Sequence, residues 1–195
     1  ESKKVDEHAG DGDDTGHDEG HDDHDHEEKH EEKYEVAKPA AGKRKTITES
    51  DVLILLALAV LGRVLLKVTP LVNIPSVEPI IPIAVFAGLA YGVEAGIIVG
   101  LLAYPISNFF LPGEFFGLWI IWQAVGGAVA GGVAGLAKKA TFNNMLWYTA
   151  IGTILFQLAV NLPSNEIWFW GFSDVHLFSN LLFAALIGLF VVKEK

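Results

Sequence analysis

Long apolar runs fill the chain from Asp51 onward, separated by short segments rich in proline, glycine and charge. The runs are apolar on every face, whereas a helix on the surface of a soluble domain keeps a polar face. Their lengths approach the roughly 20 residues that an α-helix needs to cross about 30 Å of hydrocarbon. The pattern predicts an all-α integral membrane protein with six transmembrane helices, over residues 51–72, 78–91, 93–111, 114–137, 144–162 and 175–192.

The first 49 residues form a contrasting segment that is acidic and rich in histidine. Residues 1–35 contain 16 Asp and Glu against 4 Lys and Arg, a net charge of −12, whereas the rest of the chain carries +2, so the acidity of the whole chain (−10) comes from this tail. The tail has too few large apolar side chains to offset the entropy lost on ordering. The sequence therefore predicts a disordered tail over residues 1–49 and a six-helix bundle over residues 50–195.

Basic residues predict the orientation of the bundle in the membrane. An even number of spans places both termini on one side, and that side receives Lys43, Arg44, Lys45, Lys138, Lys139, Lys193 and Lys195. The opposite loops, residues 73–78, 111–114 and 163–174, contain no Lys or Arg. Because basic loops stay inside, we expect a multi-pass protein of the plasma membrane with both termini cytoplasmic.

Small residues recur every fourth position in the third and fourth spans. Gly127, Gly131 and Gly135 form one stripe in the fourth span, and Gly126, Ala130 and Ala134 form a second. Gly96 and Gly100 repeat the spacing in the third span. Small residues at this period let helices approach closely, which predicts tight packing within the bundle. Docking to another membrane subunit is the alternative.

Polar residues inside the predicted spans are the candidates for function, because polar groups are costly in hydrocarbon. We expect seven residues near the outer face to converge on a shallow outward pocket for a small molecule: Asn73, Glu78, Asn108, Glu114, Trp119, Gln123 and Asn161. Arg63 lies within the first span, where it pairs with a carboxylate, extends to the interface or faces a partner. No paired acid and base groups or nucleotide-binding motif accompany them, which argues against an enzyme.

Two segments of the bundle resemble a known family. NIPSVEPIIPIAVFAGLAYG and YPISNFFLPGEFFGLWIIWQAVGGAVAGGVAG are similar to the substrate-binding S components of energy-coupling factor (ECF) transporters, particularly archaeal ones. The matching features are Val-Glu-Pro before the second span, Ser-Asn-Phe-Phe at the end of the third, and Trp-Gln in a glycine-rich fourth. The resemblance implies capture of a vitamin-like micronutrient or metal ion, with uptake powered by a separate transmembrane coupling subunit and ATPases. Residues 73–79 would then be the lid.

The tail offers a second kind of chemistry. Its histidines and carboxylates suit Ni²⁺, Co²⁺ or Zn²⁺ as a class, through His17, His21, His24, His26 and His30. A cobalt or nickel uptake protein, or another metal-handling membrane protein, is therefore an alternative to vitamin uptake. A stand-alone transporter or channel and a simple anchor for the tail also stay open. We expect no cofactor in the bundle and no nucleic-acid partner; the expected partners are a micronutrient and the lipid bilayer.

Overall fold

The computed structural model describes residues 46–69, 76–111, 117–165, 168 and 170–191. The chain divides into two units, residues 1–39 and 40–195, and all described residues belong to the second. This part of the chain contains no β-strand and one 3₁₀ turn, Leu162–Ser164. Its six α-helices are α1 Glu49–Lys67, α2 Ile80–Tyr91, α3 Val93–Phe109, α4 Trp119–Ala134, α5 Phe142–Asn161 and α6 Phe172–Val191. The all-α prediction is confirmed for these residues. Residues 1–45 of the predicted tail lie outside them, and α1 begins at Glu49, the last residue of that tail.

The first helix is set by local signals at both ends. Thr48 caps its start, accepting a hydrogen bond from the Asp51 backbone N–H while the Asp51 side chain accepts one from the Thr48 backbone N–H. The helix ends at Lys67, five residues before the predicted end. Pro70 follows shortly, and a residue that precedes proline disfavours the helical conformation, which gives the earlier end a local cause.

Two prolines lie at the start of the second helix and do not interrupt it. Pro79 takes the N-cap position and Pro82 lies in the first turn, where a backbone N–H has no partner within the helix. At the other end, Gly92 alone joins α2 to α3 with φ +112°, a conformation that glycine adopts readily. The chain therefore turns back with a single linking residue.

Each helix runs antiparallel to the next, and the glycine stripes lie between them. The Gly96 and Gly100 backbones of α3 meet Gly131 and Gly127 of α4, and a Cβ on any of these four would overlap the facing glycine's backbone. In the second stripe, Gly126 and Ala130 face α5, where a Cβ added at Gly152 would lie 3.0 Å from the Ala130 Cβ, and Ala134 faces Gly88 of α2. The prediction that the small residues pack within the bundle is confirmed for both stripes.

The outer faces of the helices are apolar. Large exposed side chains occur on every helix except α2, among them Leu65 at 60%, Ile121 at 56% and Phe190 at 80% exposure. One described helix, over Phe172–Phe190, has both the length and the mean hydropathy (1.5) to cross a membrane. Helices α2, α3 and α4 have only 12, 17 and 16 residues. The six predicted helices are thus confirmed, whereas six membrane crossings stay a prediction.

Candidate functional site

Polar side chains from five helices and the segment before α2 meet at one end of the bundle. Because the helices alternate in direction, this end collects the C-terminal parts of α1, α3 and α5 and the N-terminal parts of α2, α4 and α6. Asp51 and Tyr91, joined by a 3.3 Å hydrogen bond, lie at the opposite end. Antiparallel packing therefore brings residues that are far apart in the sequence to one site.

A buried ion pair forms the centre of this site. Arg63 is 2% exposed, and its Nε donates to Glu78 Oε2 at 2.6 Å. The other oxygen of this carboxylate, Oε1, accepts a 2.7 Å hydrogen bond from the Tyr104 hydroxyl. The guanidinium also lies over the Tyr104 ring, with Cζ 5.3 Å from the ring centroid. Strong donors thus reach both carboxylate oxygens, as a buried charge requires.

The same arginine organises the end of α3. Its Nη1 donates to Ser107 Oγ at 2.7 Å and to Asn108 Oδ1. Asn108 in turn hydrogen-bonds to α4, because its Nδ2 donates to Gln123 Oε1 at 2.8 Å. A continuous line of hydrogen bonds therefore joins α1, α3 and α4 through side chains that are all buried.

A histidine from α6 completes the cluster. His176 is 1% exposed, and its Nδ1 lies 2.6 Å from Gln157 Nε2 of α5. Its Nε2 lies 3.6 Å from Glu78 Oε1, beyond normal hydrogen-bond length. The Phe156 ring packs edge-on against His176 and stacks on Tyr104 at 4.8 Å. These contacts hold the imidazole in one place beside the carboxylate.

These groups surround a cavity of about 120 Å³. Its walls combine aromatic rings with charged and amide groups: Arg63, Lys67, Ser76, Glu78, Trp119, Gln123, Phe156, Val160, Phe172 and His176. A larger groove of about 520 Å³ lies between α1, α2 and α6, but aliphatic and aromatic side chains line most of it. We take the smaller cavity as the candidate site, because convergent polar groups fix the orientation of a ligand.

Comparison with known proteins shows a distant similarity in sequence. No model of a protein family matches the chain. The chain is similar to a UPF0397 protein of Lactobacillus acidophilus. The two are 24% identical over 141 residues, which cover 64% of this chain and 75% of the relative. No solved structure matches the chain.

The predicted pocket residues fall into three groups. Glu78, Trp119 and Gln123 line the cavity, and Asn108 is hydrogen-bonded to Gln123 directly behind the wall. Asn161 is buried at the end of α5 but does not line the cavity. Asn73 and Glu114 lie outside the described residues. Of the three possibilities for Arg63, the structure shows the internal ion pair.

Several residues of the site were not among the predicted pocket residues, and Tyr104, Gln157 and His176 are the polar ones that make its hydrogen bonds. Helical spacing contains a signal for them, because residues four apart share a helix face. Tyr104 and Asn108 are so spaced, as are Thr153 and Gln157, and His176 and Asn180. All six of these side chains are buried. Buried polar residues at this period mark the helix faces that point inward.

The described residues hold no group of three or more His, Cys, Asp or Glu positioned to bind a metal ion. The five tail histidines predicted to bind metal lie outside the described residues. Within the described bundle, the arrangement suits recognition of an organic molecule, with rings for stacking and with amide, imidazole and charged groups for hydrogen bonding.

Proposed function

We propose that this chain is the substrate-binding S component of an ECF-type importer, which captures a vitamin-like micronutrient at the cavity beside Glu78. A separate transmembrane coupling subunit and its ATPases would supply the energy. In this proposal the bundle is a multi-pass protein of the plasma membrane with both termini cytoplasmic. The cavity then opens toward the outside, since it lies at the end of the bundle opposite the termini.

The distribution of polar and apolar side chains supports the membrane part of the proposal. The described residues bury an ion pair, amides and hydroxyls while exposing large aliphatic and aromatic side chains. Exposed apolar surface of this extent is unfavourable in water and favourable in lipid. The polar groups inside would then be far from solvent and need the partners that the structure gives many of them.

One observation carries the binding part of the proposal. Three residues in the segments that resemble S components, Glu78, Asn108 and Gln123, are joined by hydrogen bonds through Arg63. Two of them line the cavity. The segments that suggest a substrate-binding family therefore also supply four of the residues that line the candidate site, namely Ser76, Glu78, Trp119 and Gln123.

The test is to purify the chain in mild detergent, denature it and identify the released small molecules by mass spectrometry. We expect one organic ligand per chain, both in the full chain and in a variant without residues 1–45. Trp119→Ala should reduce the bound amount about tenfold or more, because stacking against a cavity wall is lost. Trp147→Ala is the matched control, since Trp147 is 68% exposed on α5. Absence of any ligand from both forms would contradict the proposal.

Metal handling by the tail is the second candidate, and the histidine spacing favours it. His17 and His21 are four residues apart, as are His26 and His30, with His24 between them and carboxylates throughout. Such a segment supplies the imidazole and carboxylate ligands that transition metals prefer. Elemental analysis after incubation with Ni²⁺, Co²⁺ or Zn²⁺ tests it. Metal that disappears with residues 1–45, together with an empty cavity, would favour this function over micronutrient capture.

A further inference from the structure

The direction of the hydrogen bonds beside the cavity is set by Arg63. A guanidinium only donates hydrogen bonds, so the Asn108 side chain must turn its oxygen toward Arg63, and the structure shows this contact. The Asn108 amide nitrogen then faces α4, where it donates to Gln123 Oε1 at 2.8 Å. The Gln123 oxygen is therefore occupied, and its NH₂ group is the part that remains for a ligand.

The Gln123 NH₂ group has no partner among the residues that the structure describes. Within this part of the chain, the hydrogen bond of the Gln123 side chain is the one through Oε1. Its Nε2 is not fully buried, and Gln123 lines the cavity, so this amide is accessible from the cavity. The wall formed by α4 therefore offers a hydrogen-bond donor without an acceptor.

His176 offers a second donor to the same cavity. Its Nδ1 lies 2.6 Å from Gln157 Nε2, which donates to it, so the ring hydrogen is on Nε2. The nearby carboxylate favours the same arrangement, because Nε2 lies 3.6 Å from Glu78 Oε1 and a lone pair there would face negative charge. This Nε2 is buried and makes no hydrogen bond with the described residues.

Acceptors are scarce on the same lining. The two oxygens of Glu78 already accept hydrogen bonds from Arg63 and Tyr104, and the Trp119 indole has a donor and no acceptor. Among the described lining side chains, the hydroxyl of Ser76 is the one acceptor without a hydrogen bond. Since unpaired donors are costly when they are buried, the cavity favours a ligand that supplies acceptors.

From the proposed function, on which this step rests, we infer that the ligand is a planar ring whose edge accepts hydrogen bonds from Gln123 Nε2 and His176 Nε2. The acceptor is a carbonyl oxygen or an unprotonated ring nitrogen. Hydrogen-bond direction leads to this assignment, and no charge on the ligand is required, since Arg63 and Glu78 compensate each other. The aromatic part of the lining suits a ring, and a cavity of about 120 Å³ admits a ring-sized group.

Pyridine N-oxide and aniline are matched probes, because each has one ring with a single non-hydrogen atom attached. The N-oxide oxygen only accepts hydrogen bonds, whereas the aniline amine donates them, and both molecules are uncharged at neutral pH. Binding to the full chain, freed of any ligand carried through purification, is measured by isothermal titration calorimetry in detergent, with protein-free micelles as the blank. We expect the N-oxide to bind about tenfold more tightly than aniline, which corresponds to about one neutral hydrogen bond.

Two variants test the named donors. Gln123→Glu replaces the NH₂ group with an acceptor and keeps an oxygen for Asn108, so it should reverse the preference toward aniline. His176→Asn should lower the preference about threefold or more, because the new amide oxygen can accept from Gln157 while the Nε2 donor is lost. Asn143→Asp makes the same amide-to-acid change at an exposed site at the opposite end of the bundle and should keep the preference. If Gln123→Glu does not fold, the unmodified chain and His176→Asn still decide between the probes.

The ligand that purifies with the chain separates this inference from the proposed function. A ring with a carbonyl or an unprotonated ring nitrogen, bound about tenfold less in Gln123→Glu, supports the inference. A stoichiometric ligand without such an acceptor, or one that Gln123→Glu retains in full, overturns it and leaves the proposed function standing. Aniline that binds as tightly as the N-oxide, or more tightly, overturns it in the same way. Absence of any ligand, with neither probe bound, overturns both.

Discussion

At the scale of single residues, Arg63 shows what a charged side chain in an apolar helix requires. It reaches Glu78, Ser107 and Asn108, which come from two other parts of the chain. A buried pair of this kind adds little net stability compared with apolar residues of similar size, but removal of one partner leaves an uncompensated charge. Its role is therefore to hold α1, α3 and the segment before α2 in one arrangement around the cavity.

Substitutions in the Arg63–Glu78 ion pair should change the stability of the bundle in a defined way. Arg63→Met should destabilise the bundle by about 3–5 kcal/mol, because Glu78 stays buried without its cation. The double variant Arg63→Met, Glu78→Gln should recover a large part of that loss. The midpoint of thermal unfolding in detergent measures both, with Lys139→Met, an exposed site, as the control. A double variant that is no more stable than Arg63→Met would contradict the pairing.

At the scale of helices, backbone contact between α3 and α4 depends on glycine at both surfaces. Gly96 and Gly100 on one helix lie against Gly131 and Gly127 on the other, too close for any Cβ. The helices thereby gain close dispersion contacts, which are the main source of helix association in lipid. This contact also sets the position of Gln123 relative to Asn108, two residues of the candidate site.

Adjacent glycines in α4 give a matched test of this packing. A Cβ at Gly131 would overlap the Gly96 backbone, whereas a Cβ at Gly132 would meet the Ile97 side chain, with Cγ1 at 2.9 Å. Backbone cannot rotate away, but a flexible side chain can. We expect Gly131→Ala to cost about 1–3 kcal/mol and Gly132→Ala much less, as measured by thermal unfolding. Equal losses would show that the close approach does not depend on Gly131.

At the scale of the whole molecule, the proposed orientation follows from the positions of the charged residues and the cavity. Exposed Lys138 and Lys139 follow α4, at the end of the bundle opposite the cavity. Lys67 lies at the cavity end, on the last turn of α1, where it lines the cavity. Its position within the first predicted span is why the count of loop charges did not include it.

The absence of cysteine from the sequence makes this orientation measurable. Single variants Trp170→Cys and Lys138→Cys place one thiol at each end of the bundle, and Trp170 is 84% exposed. A membrane-impermeant maleimide should label Trp170→Cys on intact cells and Lys138→Cys only after the cells are permeabilised. Labelling of Lys138→Cys alone on intact cells would reverse the orientation. Labelling of both variants on intact cells would show that the two ends of the bundle do not lie on opposite sides of the membrane.

The sequence by itself determined the features that depend on neighbouring residues. Apolar run length predicted six helices, and glycine spacing predicted which faces of α3 and α4 pack closely. Proline acts locally as well, yet its effect depends on its position. Pro79 and Pro82 begin α2 because they lie at its first turn, and the run alone did not show where that turn would be.

Only the tertiary structure decided which distant residues meet. The sequence predicted a carboxylate as one possible partner for Arg63 without naming it, and the antiparallel packing of α1 against the start of α2 selected Glu78. The same packing placed the Tyr104 hydroxyl against Glu78 Oε1, the carboxylate oxygen that Arg63 Nε does not contact, and placed His176 beside the same oxygen. Hydrogen-bond direction around the cavity arises from these contacts between helices. Spacing within one helix cannot supply it, because it depends on the position and orientation of the neighbouring helices.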